Sequence, residues 1–521
     1  MSSRFDPTRV VAFNEVLASI AEEMGVRLER SSFSANIKER RDYSCALFDT
    51  DGQLIAQAAH IPVHLGAMSA LVRALIPRVQ WREGDTIACN DPFLAGTHLP
   101  DISLVSPVYV GDRLAGFVAS RAHHADVGGV TPGSMPNVPD LFGEGFRIPP
   151  VRLTARGRVV EDVMSLVCSN SRRPDERRGD LLAQIAANRS GAEGLRVLAE
   201  RYGATAFRES TDEAIAYAEA LTRGALRSLP DGEYSFEDCL DSDGVSAGPV
   251  RIRVRAEIAS GSVRFDFSGS DPQRPAGINA TLAVTESACL YAVRCLLDPD
   301  APTNEGCRQP IRVLAPQGTV VNASYPAAVA GGNVETSQRI TDVVLGALAQ
   351  AAPERIPAAS QGTMNNLTFG GWDPKRRRAF AYYETIGGGG GASATRDGTL
   401  GLHSHMTNTR NTPVEALEQE MPIQVIEYCA GRPGGEGLHR GGAGVRKTFR
   451  FLVPVTGSLL ADRRRTAPYG VSGGRHGRTG MDVIVDQGKQ RKVPAKGSFS
   501  IGAGGTLTVN TPSGGGWGTP P

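Results

Sequence analysis

Aromatic side chains make up only 6% of the 521 residues, no run of 18 apolar residues occurs, and none of the eight cysteines has C-x-x-C spacing. Each shortage excludes something. Without a long apolar run, no membrane-spanning helix is expected. Without C-x-x-C, zinc ribbons and dithiol redox motifs drop out, and the cysteines read as reduced, mostly buried thiols of a cytoplasmic protein. Net charge is missing too. The 56 Lys+Arg stand against 55 Asp+Glu, a formal charge of +1, so neither nucleic acid nor an anionic membrane is expected as partner. The first thirty residues carry no signal-type apolar run. Neither G-x-x-x-x-G-K-[ST] nor a G-x-G-x-x-G following a clear strand occurs, so the chain shows no nucleotide site of its own.

What is abundant is glycine, with 61 residues, alongside 33 prolines. There is no collagen period and no Gly/Ser tract, which predicts many turns and not disorder. Asp6-Pro7 followed by Val10, Phe13, Leu17, Ile20, Ala21 and Met24 predicts a capped helix over 7–24. Asp51-Gly52 and Gly111-Asp112 each sit between strand-like runs and predict hairpins, 45–48 with 54–58 and 102–110 with 114–121. Pro107 should place its strand at an edge or a bulge. Helices are expected over 63–76, 180–203, 210–229, 286–297 and 337–351. Short strands and Gly-rich turns dominate from about residue 431. The fold class is therefore α+β and multi-domain, with a mixed α/β metal-site domain over 1–230, a mixed α+β domain over 231–430 and a β-rich, Gly-rich segment over 431–521 packed on the rest.

The nine histidines are placed unevenly. His98 and Asp101 lie three apart in the turn before one strand of the second hairpin, and His123-His124-Ala125-Asp126 follows its return strand. Register decides whether these meet. A two-residue loop at Gly111-Asp112 sets Asp101 opposite Ala122. A three-residue loop, or a bulge near Pro107, sets it opposite His123 on the same face. Two imidazoles and a carboxylate with open positions form a usual first shell for catalytic Zn²⁺, Mn²⁺ or Fe²⁺. Other features read more simply. Ile386 to Gly391 (IGGGGG) fits close backbone approach better than a phosphate cradle, and His403-x-His405 fits a paired histidine better than a metal site. The two G-x-S-x-G matches, at 244–248 and 470–474, lack the following helix that a nucleophile elbow needs.

Several longer segments carry a resemblance. Asn36-Ile37-Lys38-Glu39-Arg40-Arg41-Asp42-Tyr43-Ser44, Ala59-His60-Ile61-Pro62-Val63-His64-Leu65-Gly66, Gly96 to Asp101, Arg121 to Asp126, Gln184 to Arg189, Gly332 to Arg339 and Gly514 to Gly518, in that order, resemble the hydantoinase B/oxoprolinase family over essentially the whole chain. The resemblance implies the B-type subunit of an ATP-dependent N-methylhydantoinase, 5-oxoprolinase or caprolactamase. A separate hydantoinase A-type subunit, carrying ATP and Mg, would phosphorylate the carbonyl oxygen of a cyclic amide. The B-type chain would then open the ring of the hydantoin, 5-oxoproline or lactam, in a hetero-oligomer of A2B2 or larger. It implies Asp42, His98, Asp101 and His123 as ligands of a divalent Zn, Mn or Fe ion, whose bound water or hydroxide would attack the activated carbonyl. His124 and Asp126 would orient ligands, and Asp126 or Glu39 would relay a proton. The alternative is a subunit of a ketone carboxylase of the acetone/acetophenone carboxylase type.

Overall fold

The computed structural model describes residues 6–58 and 61–521. Ala59 and His60, part of the second segment quoted above, lie outside the described residues. The expected α+β class holds, with four sheets and helices packed on them. Among the described residues no helix is long and apolar enough to cross a membrane.

Helix α1 (Pro7–Ser31) starts where Asp6-Pro7 predicts, and the Asp6 carboxylate accepts the backbone N–H groups of Thr8 and Arg9. It runs past the expected end near Met24, because its apolar stripe continues to a buried Leu28. A short helix α2 (Ala35–Lys38) then leads into the first hairpin, β1 (Tyr43–Phe48) and β2 (Leu54–Gln57). The helix expected over 63–76 is split: a 3-10 turn over Pro62–His64 precedes α3 (Ala67–Leu75). Strands β3 (Thr86–Cys89), β4 (Asp101–Val110), β5 (Arg113–His123), β6 (Val151–Ala155) and β7 (Arg158–Val159) complete a seven-stranded sheet in the order β2-β1-β5-β4-β3-β6-β7.

Strand β4 is interior, so Pro107 does not mark an edge. It is tolerated because β3 pairs with β4 only over Ser103–Val105, and because the ladder to β5 is irregular beside it. The hairpin closes with the two-residue loop, Val110 opposite Arg113 and Tyr109 opposite Leu114. Val108 then faces Gly116, leaving Ala115 as an extra residue. From that bulge onward the register is the second of the two expected, and Asp101 faces His123.

Helices α4 (Glu161–Ser169), α5 (Pro174–Tyr202) and α6 (Ala204–Arg227) follow. α5 crosses β4 and β5 and packs tightly on α1. A Cβ on Gly191 of α5 would stand 2.1 Å from the Met24 sulfur, so a larger residue there would displace the Met24 side chain. Two α5 side chains one turn apart reach the sheet: the Gln184 amide donates to the Ile102 carbonyl at 3.1 Å, and that of Asn188 to the Leu104 carbonyl at 3.0 Å.

A second, four-stranded sheet orders β8 (Gly232–Leu240), β9 (Val250–Ala259), β10 (Ser262–Asp266) and β11 (Ile311–Leu314) as β11-β10-β9-β8. Its alternating apolar face packs on α7 (Leu282–Arg294) and α8 (Ser337–Ala351) to form the largest core. A single π-helical turn, Gly332–Thr336, opens α8.

The C-terminal part is a sandwich of two sheets. One orders β12 (Asn366–Asp373), β13 (Arg378–Glu384), β16 (Val455–Leu460) and β19 (Lys496–Ile501) as β13-β12-β16-β19. The other orders β14 (Ile423–Ala430), β15 (Val445–Phe451), β17 (Met481–Asp486), β18 (Lys489–Lys492) and β20 (Thr506–Asn510) as β14-β15-β20-β17-β18. Helix α9 (Val414–Glu420) lies before β14. Phe369, Phe449, Phe451, Leu459 and Leu507 fill the space between the two sheets. The polyglycine run is spent on close backbone approach. Gly442 N donates to Gly390 O at 2.8 Å, and Gly389 N to Pro512 O at 3.0 Å. A Cβ on Gly391 would lie 1.7 Å from the Ala358 carbonyl oxygen.

Candidate metal centre

The site forms where β4 begins and β5 ends. Asp101 opens β4, and its partner across the ladder, His123, closes β5, so both side chains leave one face of the sheet. His98 comes from the turn just before β4. That turn is tied down by Asn90, whose side chain donates to the Leu99 and Phe146 carbonyls and accepts the Ile148 N–H. The turn is closed by the Asp101 N–H bonding back to the His98 carbonyl at 3.1 Å.

His98 Nε2, His123 Nδ1 and Asp101 Oδ1 form a triangle. The sides are 3.1 Å from His98 to Asp101, 3.3 Å from His123 to Asp101 and 3.2 Å between the imidazoles. All three residues are buried, at 0%, 3% and 3% exposure. Among the described residues this is the one group of at least three His, Cys, Asp or Glu donors close enough to share an ion. Ligands at about 2.1 Å from one cation stand about 3.0–3.4 Å apart in octahedral or tetrahedral geometry. The triangle has those sides, so the donor set and its spacing fit a divalent ion. The outward nitrogens, His98 Nδ1 and His123 Nε2, are buried without hydrogen-bond partners, so the cluster is not a closed hydrogen-bond network of its own.

The second carboxylate oxygen of Asp101 is held from outside the triangle. It accepts the Thr97 hydroxyl at 2.5 Å and lies 3.4 Å from His64 Nε2, whose Nδ1 meets the Ser44 hydroxyl at 2.9 Å. Burial opposes ionisation of Asp101, but the three imidazoles around it hold its carboxyl well below the usual range. Burial lowers the His123 pKa below the ordinary imidazole value, with Asp101 pulling the other way.

Asp42 precedes β1, next to β5, and its carbonyl accepts the His123 N–H at 2.9 Å. Its buried carboxylate lies 3.9 Å from the Arg40 guanidinium and outside the triangle. Arg41, between them, has φ +55°, a left-handed conformation that turns the chain into β1.

The three residues expected in catalytic roles are not gathered into this cluster. Burial and then the Arg177 charge push the His124 pKa well down. Its ring is held between Arg177 and Gln184 of α5. Asp126 spends both oxygens on a loop: Oδ1 accepts the N–H groups of Gly128 and Arg172, and Oδ2 those of Gly133 and the Arg172 guanidinium. Glu39 is half-buried and lines a separate small hollow with Phe33, Tyr382 and Leu417. His403 and His405 also part company, His403 to Asn411 and His405 to Ser360.

Two contributors were not singled out from the sequence. His64 was legible only as part of the His60-to-His64 segment. Tyr383, from the sandwich strand β13, stacks on the His123 ring with centroids 4.4 Å apart and planes 20° apart. The Arg40 guanidinium lies 4.7 Å from the Tyr383 centroid and donates to the Tyr383 carbonyl and the Thr385 hydroxyl. The site therefore sits at the seam between the seven-stranded sheet and the sandwich.

The profile of the hydantoinase B/oxoprolinase family matches residues 6–520. The chain is 39% identical to 5-oxoprolinase 1 of Arabidopsis thaliana, over 99% of this chain but 42% of that protein. It is 31% identical to the B-type subunit of a putative D-/L-hydantoinase from a Pseudomonas strain, over 99% of this chain and 90% of that one. The crystal structure of an ATP-dependent caprolactamase from Pseudomonas jessenii superposes with a TM-score of 0.91 at 28% identity, covering 99% of this chain and 92% of that one.

Proposed function

Because the chain belongs to the hydantoinase B/oxoprolinase family, we propose that it is the ring-opening subunit of an ATP-dependent cyclic-amide hydrolase. Its substrate would be a hydantoin, 5-oxoproline or lactam, activated on its carbonyl oxygen by a separate ATP-binding subunit. The long 5-oxoprolinases, of which the chain spans less than half, and the separately named B-type hydantoinase chain support that division of labour. The observation that carries the reading is the buried His98–Asp101–His123 triangle, with sides fitted to one divalent cation.

Asp101, His98 and His123 would hold the cation, and Asp42 would add negative charge beside them. When bound, a divalent ion lowers the pKa of water and polarises an oxygen at the reacting carbon. The chain's own residues do the rest. Thr97 and His64 fix the second oxygen of Asp101 so that the first stays turned to the triangle. Arg40 and Tyr383 close the seam over His123 and exclude bulk water. An amide resists attack because resonance strengthens its C–N bond. Activation upstream removes that resonance, so this subunit needs a water-excluding, polarising site more than a strong nucleophile.

The test is reconstitution of the full chain with its A-type partner. Elemental analysis should give a divalent metal in the complex, and ATP-dependent opening of hydantoins, 5-oxoproline or lactams should follow. His98→Ala should abolish ring opening while the partner still splits ATP. Ring opening at the wild-type rate in that variant would overturn the reading, and bicarbonate-dependent carboxylation of a ketone would replace it with the carboxylase alternative.

A further inference from the structure

A metal-bound histidine is normally oriented by a hydrogen bond from its other nitrogen to a carboxylate or carbonyl. His123 has no such bond: its Nε2 is buried and unpartnered. What fixes the plane of its ring is the face of Tyr383, stacked at 4.4 Å. Tyr383 is itself fixed. Its hydroxyl donates to Asn366 Oδ1 at 3.0 Å. Asn366 is locked in turn, because its amide nitrogen donates to Glu335 Oε1 at 2.8 Å and to the Leu460 carbonyl at 2.9 Å. Both of its N–H groups meet atoms that only accept, so the amide cannot flip and Oδ1 must face Tyr383. Glu335 is anchored by the Met364 N–H at 3.0 Å on the same oxygen.

Glu335 stands in the π-helical turn Gly332–Thr336. Such single turns of π-helix are frequent at functional sites. This one is closely packed: a Cβ on Gly332 would lie 1.8 Å from the Asn279 carbonyl oxygen. The turn thus delivers a fully buried carboxyl to the foot of β12, next to the strand that carries Tyr383.

We propose that Glu335, Asn366 and Tyr383 form a positioning relay that holds the His123 imidazole in its cation-binding orientation from the sandwich side of the seam. The proposal rests on the reading of the triangle as a cation site. Its consequence is that one ligand is aligned by a different layer of the fold from the one that carries it. None of the three residues is catalytic in this account, since each acts through the next. Glu335 takes part as an acceptor only. Burial raises its carboxyl to about 7, with the nearby Asp462 charge adding to the shift, and a protonated carboxyl still accepts on Oε1.

The experiment titrates the full-length chain, stripped by chelator, with Co²⁺ and Zn²⁺, and records affinity together with the visible spectrum of the Co²⁺ form. Tyr383→Leu, which removes the stacking face, should weaken affinity by about tenfold or more, the usual effect of losing an outer-shell partner, and alter the Co²⁺ spectrum. Tyr383→Phe keeps the ring but frees it from Asn366, and should show a smaller loss. Glu335→Leu removes the oxygen that holds Asn366 and should weaken affinity about as Tyr383→Phe does, while Glu335→Gln keeps an acceptor oxygen and should restore it. Thermal melts establish that each variant is folded. Wild-type affinity and spectrum in folded Tyr383→Leu would overturn the relay. So would wild-type affinity in folded Glu335→Leu. If the wild-type chain itself takes up no cation, the reading of the triangle fails instead.

Discussion

Asp101 and His123 face each other because Ala115 is one residue too many for its ladder. With Val110 opposite Arg113, an unbroken hairpin would set Asp101 against Ala122, on the other face from His123. The bulge shifts every pair beyond Val108 and turns a two-residue loop into the register that a metal centre needs.

Deleting Ala115 should therefore remove the bulge without moving a pair, leaving Val108 opposite Gly116 and Asp101 opposite His123 in an unbroken ladder. The expected outcome is a folded chain that keeps its divalent ion by elemental analysis. Loss of the ion from a folded deletion variant would show that the site depends on the bulge itself and not only on the register.

His64 touches Asp101 only through the oxygen that faces away from the triangle. His64→Phe fills its space but cannot hold that oxygen. Metal affinity should fall by about 10- to 100-fold, less than in His98→Ala, with Co²⁺ or Zn²⁺ titration as the measurement. Equal losses in both variants would make His64 a ligand in its own right.

Lys447 and Glu384 form a fully buried ion pair at 2.7 Å and 2.9 Å. Lys447→Met strands the carboxylate and should destabilise the chain by about 3–5 kcal/mol. Adding Glu384→Gln should recover most of that loss, because the neutral amide no longer needs a counter-charge. A double variant as unstable as the single one, in denaturant melts, would contradict the pairing argument.

Glu144 is buried and accepts the N–H groups of Val329 and Ala330 at 2.7 Å each. Burial pushes its carboxyl from 4.5 up to about 8. Between those values the native chain holds a proton that the unfolded chain has released. Its contribution to stability is complete below the lower value and is lost as pH rises through the upper one. Glu144→Gln should accordingly gain in melting temperature relative to the wild type between pH 6 and pH 9. A constant difference across that range would place the carboxyl at an ordinary pKa.

Much of this could be read from the residues. The Asp6-Pro7 cap, the two Gly/Asp turns and the helical spacing of 337–351 each name a local conformation, and local signals survive folding. His98, Asp101 and His123 were legible because one hairpin brings them together. The register was not, since a single extra residue decides it and Pro107 only marked where to look. Tyr383 was invisible for a different reason: it reaches His123 by the packing of two layers, which no short-range spacing encodes. His124 and Asp126 follow His123 in the chain but stand outside the triangle, because adjacency in the chain is not adjacency in space. One anchors α5, and the other satisfies a loop.

The glycine segments of the C-terminal part meet main chain against main chain, with a Cβ on Gly514 only 1.9 Å from the Gly390 carbonyl oxygen. Such contact leaves no room for even a methyl group. A saturation mutagenesis map of this protein would thus score Gly391 and Gly514 as intolerant as His98, for reasons of packing. Intolerance there reports crowding, and only the chemistry of the side chain separates it from reactivity.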